Sequence, residues 1–395
     1  MIGTGYVGLV SGACFADLGN TVWCVDQIKE KIDMLNNKQI PIYEPGLEEL
    51  VKKNHKSGRL KFTTDLKLAV KNSELIFICV GTPTSKNGSA DLTYVFKAAK
   101  EISKYINKFK IIINKSTVPV STGDKVEKII SVKNKKNKFE VISNPEFLRE
   151  GDAIRDFRFP DRIVIGTNNK KILRKIENLY KPLINKGAVF FSTSRRGAEI
   201  IKYASNAFLA TKISFMNEIG NLCEKTNVDV EDVALGIGLD KRIGPRFLRV
   251  GPAYGGSCFP KDTKAITTTG DLYKTNLSII KSVIKSNQRR KMLLTERIGK
   301  ILLNKFKNKK ICFLGVTFKA NTDDMRESSS LLMIPYLTKK GTKITYYDPS
   351  GPKKEFSKLK NVTYSENIEK ACNSIDLLII HTEWEEFKAL DFKKL

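Results

Sequence analysis

The stretch Tyr254-Gly255-Gly256-Ser257-Cys258-Phe259-Pro260-Lys261-Asp262 sets one thiol between a glycine pair and a Pro-Lys-Asp. Glycines let a backbone approach a ligand closely, and Pro260 stiffens the far side. A thiol attacks as the thiolate, which nearby positive charge favours. Lys261 brings such a charge, and Asp262 can exchange protons or orient water. A turn around a buried cysteine uses the same residue types, so this segment alone leaves both readings open. A second pair, Lys202 and Asn206, lies four residues apart and therefore on one helix face. The helical pattern around it (197–225) is apolar nearly all round, which predicts a buried helix. A lysine there must face a polar site or snorkel at the rim.

These groups need a scaffold, and the N-terminus supplies its first piece. Gly3-Thr4-Gly5-Tyr6-Val7-Gly8 reads G-x-G-x-x-G. An apolar helical pattern follows and stops at Gly19-Asn20. A strand over 21–25 comes next and closes on Asp26, 18 residues past Gly8. The glycines make a tight turn that brings a helix N-terminus to a pyrophosphate. Asp26 is placed to accept ribose hydroxyls and repels a 2′-phosphate, so the pattern predicts NAD over NADP. Only Met1 and Ile2 precede Gly3, where a central strand is usually about 5 or 6 residues. The expectation is a sequence clipped in front or starting at an unusual site.

Further on, 27–59 reads as charged and helical, broken at 40–46. Continuous apolar runs at 75–80, 110–114 and 139–143 read as buried parallel strands, with more at 162–165 and 188–191. Their carboxyl ends carry Gly81-Thr82-Pro83, Lys115-Ser116-Thr117-Val118-Pro119 and Asn144-Pro145-Glu146-Phe147-Leu148-Arg149-Glu150-Gly151. Ligands bind at that edge of an open α/β sheet, which puts Thr117 and Glu146 on the ligand side. A helix at 230–235 leads through Gly236-Ile237-Gly238-Leu239-Asp240-Lys241-Arg242-Ile243-Gly244 into the cysteine segment. Arg242 and Arg249 flank that segment as phosphate ligands or as surface charges. After a basic helix at 282–304, strands at 310–314, 342–347 and 375–380 form a second α/β block without a G-x-G-x-x-G. Asp323-Asp324-Met325-Arg326-Glu327-Ser328-Ser329-Ser330 reads as the opening of a helix. The block has too few strands to close a doubly wound sheet, which predicts truncation at the C-terminus.

Composition bounds the rest. The chain has 395 residues, 41% of them hydrophobic, enough for two or three domains. No apolar run reaches the roughly 18 residues of a membrane span, and the apolar N-terminal stretch, without a charged n-region or a cleavage site, does not read as a signal peptide. Seven cysteines, mostly in apolar runs, read as reduced thiols of a cytoplasmic protein. The net charge is +27. Its lysines are dispersed, with local excess at 133–138 and 305–310. They lack the aromatic interleaving of a single-strand platform and any helix-turn-helix or zinc-finger spacing. A solvated surface fits better than nucleic-acid or membrane binding. Of two histidines, His55 falls in a basic, exposed segment and His381 reads as a strand-end residue. No cluster has metal-ligand spacing.

In order, the motifs from Gly3 to Asp26, Gly81 to Pro83, Lys115 to Pro119, Asn144 to Gly151, Lys202 with Asn206, Asp240 to Gly244, Gly255 to Asp262, and Phe318-Lys319 with Arg326-Glu327-Ser328 resemble those of the UDP-glucose/GDP-mannose dehydrogenase family. Their wording is most similar to that of its bacterial UDP-glucose 6-dehydrogenases. The resemblance spans nearly the whole chain. It implies two Rossmann-like doubly wound domains joined by a long central helix in a helical dimerisation region. The segments are 1–193 for NAD, 194–300 with the cysteine loop, and 301–395 for the UDP-sugar. It implies four-electron oxidation of UDP-glucose to UDP-glucuronate with NAD, in a homodimer. It casts Cys258 as nucleophile, Lys202, Asn206 and Asp262 as its polar support, and Glu146 with Thr117 near water and sugar. Gly3, Gly5, Tyr6, Val7, Gly8, Asp26, Lys31, Thr82, Thr117, Glu150, Lys261 and Arg326 fall to the cofactor. Glu146, Phe147, Leu148, Glu150, Lys202, Asn206, Arg242, Phe247, Arg249, Gly255 and Lys319 fall to the substrate, with Arg242 reaching a neighbouring subunit. The family also has a further C-terminal strand with a substrate-holding arginine, beyond Leu395. Three other readings remain: the first is the same chemistry on UDP-N-acetylmannosamine or GDP-mannose, and the second a two-electron hydroxyacid dehydrogenase, which needs neither Cys258 nor the second block. A non-catalytic protein that binds nucleic acid or membranes through its charge is the third.

Overall fold

The computed structural model describes residues 1–135 and 138–391. Residues 136–137 of the lysine-rich run at 133–138, and 392–395 at the end of the third expected segment, lie outside the described residues. The chain is an α/β protein of two compact units, Met1–Ala204 and Ser205–Leu395. A continuous helix, Arg195–Thr226, spans the boundary.

The first unit is built on one Rossmann-like sheet. Its strands are β1 (Val22–Val25), β2 (Leu60–Thr63), β3 (Leu75–Ile78), β4 (Lys110–Asn114), β5 (Phe139–Ser143), β6 (Arg162–Gly166) and β7 (Val189–Thr193). Strand β1 pairs with β2, and β3 to β7 follow one another in order. Residues 1–3 join the two sets: Ile2 bridges both Val25 and Ile78 in parallel. Its N–H donates to the Phe77 carbonyl at 2.8 Å, and the Gly3 N–H to that of Val25 at 2.7 Å. The expected first strand is thus reduced to this one bridged residue. Every ladder is parallel except β5 against β6.

Strand β4 shows why such strands read as unbroken apolar runs. Ile111 and Ile113 enter a core with the helices Tyr6–Asp17 and Lys170–Ile184. Ile112 enters the opposite core with Thr93–Ser103 and Thr122–Ser131. Both faces are covered, so alternation vanishes.

The second unit contains the helices Val230–Gly238, Phe259–Leu272 and Ser278–Ile301 and a second parallel sheet. Its strands are β8 (Lys310–Leu314), β9 (Lys343–Tyr347), β10 (Val362–Tyr364) and β11 (Leu377–Ile380), in the order β10-β9-β8-β11. Ile311 and Phe313 pack on Met333, Ile334 and Leu337 of the helix Ser330–Lys339. Cys312 and Leu314 pack on Ala371, Trp384 and Phe387. Among the described residues, no helix is long and apolar enough to cross a membrane.

Three expectations need correction. Helix Arg195–Thr226 is not buried all round: Phe208, Phe215 and Leu222, at seven-residue spacing, are 65%, 53% and 56% exposed. Strands β2 and β10 were not anticipated, being only four and three residues long. His55 is half-buried, its Nδ1 3.0 Å from the Leu60 carbonyl.

Candidate active site

In the first unit the glycine turn lies where strand order reverses, between residues 1–3 and β3. Such a switch point opens a crevice at the carboxyl ends of the strands. Gly3 takes φ +96, and a Cβ on Gly8 would stand 2.0 Å from the Gly3 carbonyl oxygen. These two glycines therefore shape the turn and press it onto the helix. A Cβ on Gly5 would meet nothing within 4 Å, so Gly5 faces room for a phosphate at the N-terminus of Tyr6–Asp17.

Asp26 Oδ2 accepts the Thr4 N–H at 2.9 Å and hydroxyl at 2.8 Å, and its Oδ1 accepts the Ile28 N–H at 3.1 Å. Partial burial opposes its charge. The donors from Thr4 and Ile28, with nearby Lys31, nevertheless hold the carboxyl below its ordinary range. It stays charged and half-exposed, with lone pairs left for a ribose. The open space at Gly5 and this carboxylate fit NAD. Thr82 is buried and donates to the Thr117 carbonyl at 3.0 Å, which ties the ends of β3 and β4 together.

Beyond β5, Glu146 and Lys202 meet in the same unit. Lys202 Nζ lies 3.1 Å from Glu146 Oε1, and both side chains are buried. Glu146 Oε2 accepts the Leu148 N–H at 2.5 Å. The Lys202 ammonium is also 5.2 Å from the Phe147 ring centroid, whose face carries Arg162 at 4.0 Å. The expected polar facing of Lys202 is present, and its partner is a carboxylate. Lys115 is buried behind this edge and donates to Asn144 Oδ1 at 3.3 Å, an atom that also accepts the Tyr180 hydroxyl at 2.6 Å. Burial pushes the Lys115 ammonium down.

In the second unit Cys258 occupies the position just before the helix Phe259–Leu272, with Pro260 in the first turn. A helix N-terminus favours negative charge on a group placed there. The other six cysteines are buried, and Cys258 alone is partly accessible. Burial pushes Cys14 and Cys79 up to about 12 and Cys24 up to about 11, so they stay thiols. Asp262, one turn after Cys258, is fully buried. Its Oδ2 accepts Asn206 Nδ2 at 2.6 Å, and its Oδ1 contacts Lys261 Nζ. The Ser257 hydroxyl lies 3.5 Å from Cys258 Sγ.

The glycine pair serves close packing. A Cβ on Gly256 would come within 2.7 Å of the Phe318 ring, and one on Gly255 within 2.8 Å of the Glu327 carbonyl oxygen. The Gly256 N–H donates to the Arg326 carbonyl at 2.8 Å. The cysteine loop thus rests on the segments that hold Phe318, Lys319 and Arg326.

Of the other predicted residues, two arginines stand at the surface, while Phe247 and Arg326 lie beside the cysteine loop. Arg242 is exposed and closed on Asp240 at 2.6 Å. Arg249 is exposed, 3.4 Å from Glu383. Phe247 takes φ +65 and lies edge-on to Phe259. The Arg326 guanidinium is held by Asp324 at 2.7 Å. His381 follows β11 as expected. It is buried, with Nε2 2.7 Å from Ser329 Oγ, and burial pushes it down to about 4.

Two carboxylates escaped the sequence reading. Glu44 is buried and gathers Tyr6, Gly151 and Ala153. Glu199, three residues before Lys202, accepts the Ser121 and Gly123 N–H groups at 2.7 Å each. Burial pushes it up to about 7 against the pull of those two donors. Neither lies in a readable motif. The one available signal was a carboxylate within a Pro- and Gly-rich break or an apolar helix.

Comparison with known proteins agrees with this layout. The chain matches the UDP-glucose/GDP-mannose dehydrogenase family models: the NAD binding domain over residues 1–184, the central domain over 196–289 and the UDP binding domain over 312–395. It is 48% identical over 399 residues to UDP-glucose 6-dehydrogenase of Rhizobium meliloti (strain 1021), covering 100% of this chain and 91% of that one. It is 45% identical over 397 residues to UDP-glucose 6-dehydrogenase TuaD of Bacillus subtilis (strain 168), covering 100% and 85%. A solved UDP-glucose dehydrogenase from the archaeon Pyrobaculum islandicum superposes with a TM-score of 0.93 at 38% identity, covering 99% and 91%.

Proposed function

The chain belongs to the UDP-glucose/GDP-mannose dehydrogenase family, and on that premise we propose that it oxidises UDP-glucose to UDP-glucuronate with NAD⁺. The carrying observation is Cys258: partly accessible, at a helix N-terminus, with buried Asp262 one turn on and held by Asn206. Conversion of a primary alcohol to an acid removes four electrons, so the aldehyde must be retained between two oxidations. A thiolate supplies that hold.

NAD⁺, when bound, supplies the acceptor for each hydride; Gly5 and Asp26 would seat it, with Lys31, Thr82, Thr117, Glu150, Lys261 and Arg326 beside it. The 6-hydroxyl loses its proton to water or a carboxylate, Glu146 or Asp262, with Thr117 orienting the water. Cys258 then adds to the aldehyde carbon, and the carbonyl oxygen gains the negative charge. Lys202 and Asn206 stabilise that charge. After the second oxidation the product is a thioester. Water, oriented by Glu146 or Asp262, releases the acid and returns the thiolate. Phe147, Leu148, Phe247, Arg249, Gly255 and Lys319 contact the sugar nucleotide. Arg242, which projects into solvent in the single chain, does so across a dimer. In functional terms residues 1–193 hold the cofactor, 194–300 the nucleophile and 301–395 the uridine diphosphate.

The homodimer reading is supported by the exposed Phe208, Phe215 and Leu222 stripe, which matches a seven-residue helix seam. Sedimentation velocity should give twice the chain mass; a monomer at micromolar concentration would refute it. The buried, free cysteines support a cytoplasmic location. Cys258→Ser tests the mechanism. It should slow turnover by at least about 10³-fold, comparable to the loss of a covalent nucleophile, with any residual chemistry arrested at a covalent or aldehyde stage. An undiminished yield of two NADH per sugar in that variant would sink the covalent scheme.

A further inference from the structure

Glu44 lies in the Pro- and Gly-rich break before the helix Leu47–Lys56, yet its side chain is buried, with 7% of the residue exposed. Its Oε2 accepts the Tyr6 hydroxyl and the Gly151 N–H at 2.7 Å. Its Oε1 accepts the Ala153 N–H at 2.7 Å and the Ile154 N–H at 3.4 Å. The Gly151 N–H also reaches the Tyr6 oxygen at 2.8 Å. Burial and the neighbouring carboxylate push the Tyr6 phenol up, so it stays a donor. A helix cap for Ala153–Arg158 needs only the Ala153 and Ile154 contacts. The reach to Tyr6 and Gly151 exceeds that need.

The extra contacts join two working parts. Tyr6 directly follows Gly5 in the cofactor turn. Gly151, at φ +83, ends the segment 146–151 that carries Glu146, Phe147, Leu148 and Glu150. That segment is pinned at its other end by Lys202 on Glu146 at 3.1 Å. We propose that Glu44 is a positioning residue which, through Tyr6, sets the 146–151 segment according to whether the glycine turn holds its nucleotide. This rests on the proposed function in taking the glycine turn for the cofactor and 146–151 for the sugar. Its effect is to couple nucleotide binding in the turn to the setting of the substrate contacts.

Hydrogen–deuterium exchange of a peptide covering 149–156 tests this, with ADP-ribose as the probe. ADP-ribose carries the adenosine and pyrophosphate but no hydride chemistry. In the wild type, saturating ADP-ribose should slow exchange at least about threefold, since coupling of 1–3 kcal/mol is typical. Tyr6→Phe removes the link while keeping the ring in the core, and should abolish the response at saturation. Glu44→Gln keeps the shape and should weaken it. A wild type that does not respond, or a Tyr6→Phe protein that responds fully, overturns the proposal. So does a Glu44→Gln protein that exchanges faster overall yet keeps the full response, because that is a cap and nothing more. A wild type that makes no NADH from UDP-glucose refutes the proposed function separately, and the exchange result still decides this inference.

Discussion

Asp26 ends β1 and Asp348 ends β9, and each carboxylate turns back onto the first turn of its own sheet. Asp26 takes the N–H of Thr4. Asp348 takes those of Val316 at 2.8 Å and Thr317 at 3.3 Å. There the likeness stops. Asp26 is half-exposed. Asp348 is fully buried and also accepts the Ser350 N–H and hydroxyl, with Lys353 Nζ at 3.5 Å. The turns differ too. In the first unit the helix begins at Tyr6, three residues after Gly3; in the second, residues 316–329 separate Gly315 from the helix that begins at Ser330. One sheet offers a nucleotide a partly exposed carboxylate with lone pairs left over and a helix N-terminus. The other has used its carboxylate to fix the turn, and a long loop carrying Phe318, Lys319 and Arg326 follows it before the helix begins. One strand plan thus supports two kinds of nucleotide site, because chemistry resides at the turns and not in the sheet.

Asp348→Ala should break this comparison hardest. It strands a buried lysine and the backbone donors of the turn, which costs roughly 3–5 kcal/mol, seen in denaturant unfolding of the second unit. A loss under about 1 kcal/mol would mean the carboxylate is not fixing the turn. Acid provides the next contrast. His381 lies beside the second turn: Thr382, bonded to its Nδ1, donates to the Thr317 carbonyl at 2.8 Å. Burial lowers its pKa from 6.5 to about 4, opposed by Asp348. The unfolded chain therefore binds a proton first. Stability is full above pH 6.5 and falls by about 3 kcal/mol as pH drops toward 4. Thermal melts should show the second unit failing before the first across that window, and His381→Gln should flatten the trend. The Asp26 counterpart is smaller in energy but specific in kind. Asp26→Ala removes a charged acceptor worth about 1.5–3 kcal/mol, so Kd for NAD should rise roughly ten- to hundredfold. Unchanged affinity by calorimetry would free Asp26 from that role.

Legibility in the sequence followed the distance between partners. Asp26 was readable because the turn, helix and strand before it are contiguous. Cys258, Lys261 and Asp262 are likewise local. Strand ends at Asn114, Ser143 and Leu314 emerged intact from unbroken apolar runs. Glu44 and Glu199 were invisible, since their partners lie 109 and 76 residues away at Ala153 and Gly123. Asp348 follows the strand read at 342–347, but its five contacts arise from packing. The Phe208, Phe215 and Leu222 stripe misled because periodicity marks an apolar face without saying what covers it.

The most direct test of the account is a count. With limiting UDP-glucose and excess NAD⁺, purified protein should make two NADH per sugar, the second following the first without release of free aldehyde. One NADH per sugar, with aldehyde in solution, would contradict the four-electron reading and return Cys258 to a place in a turn.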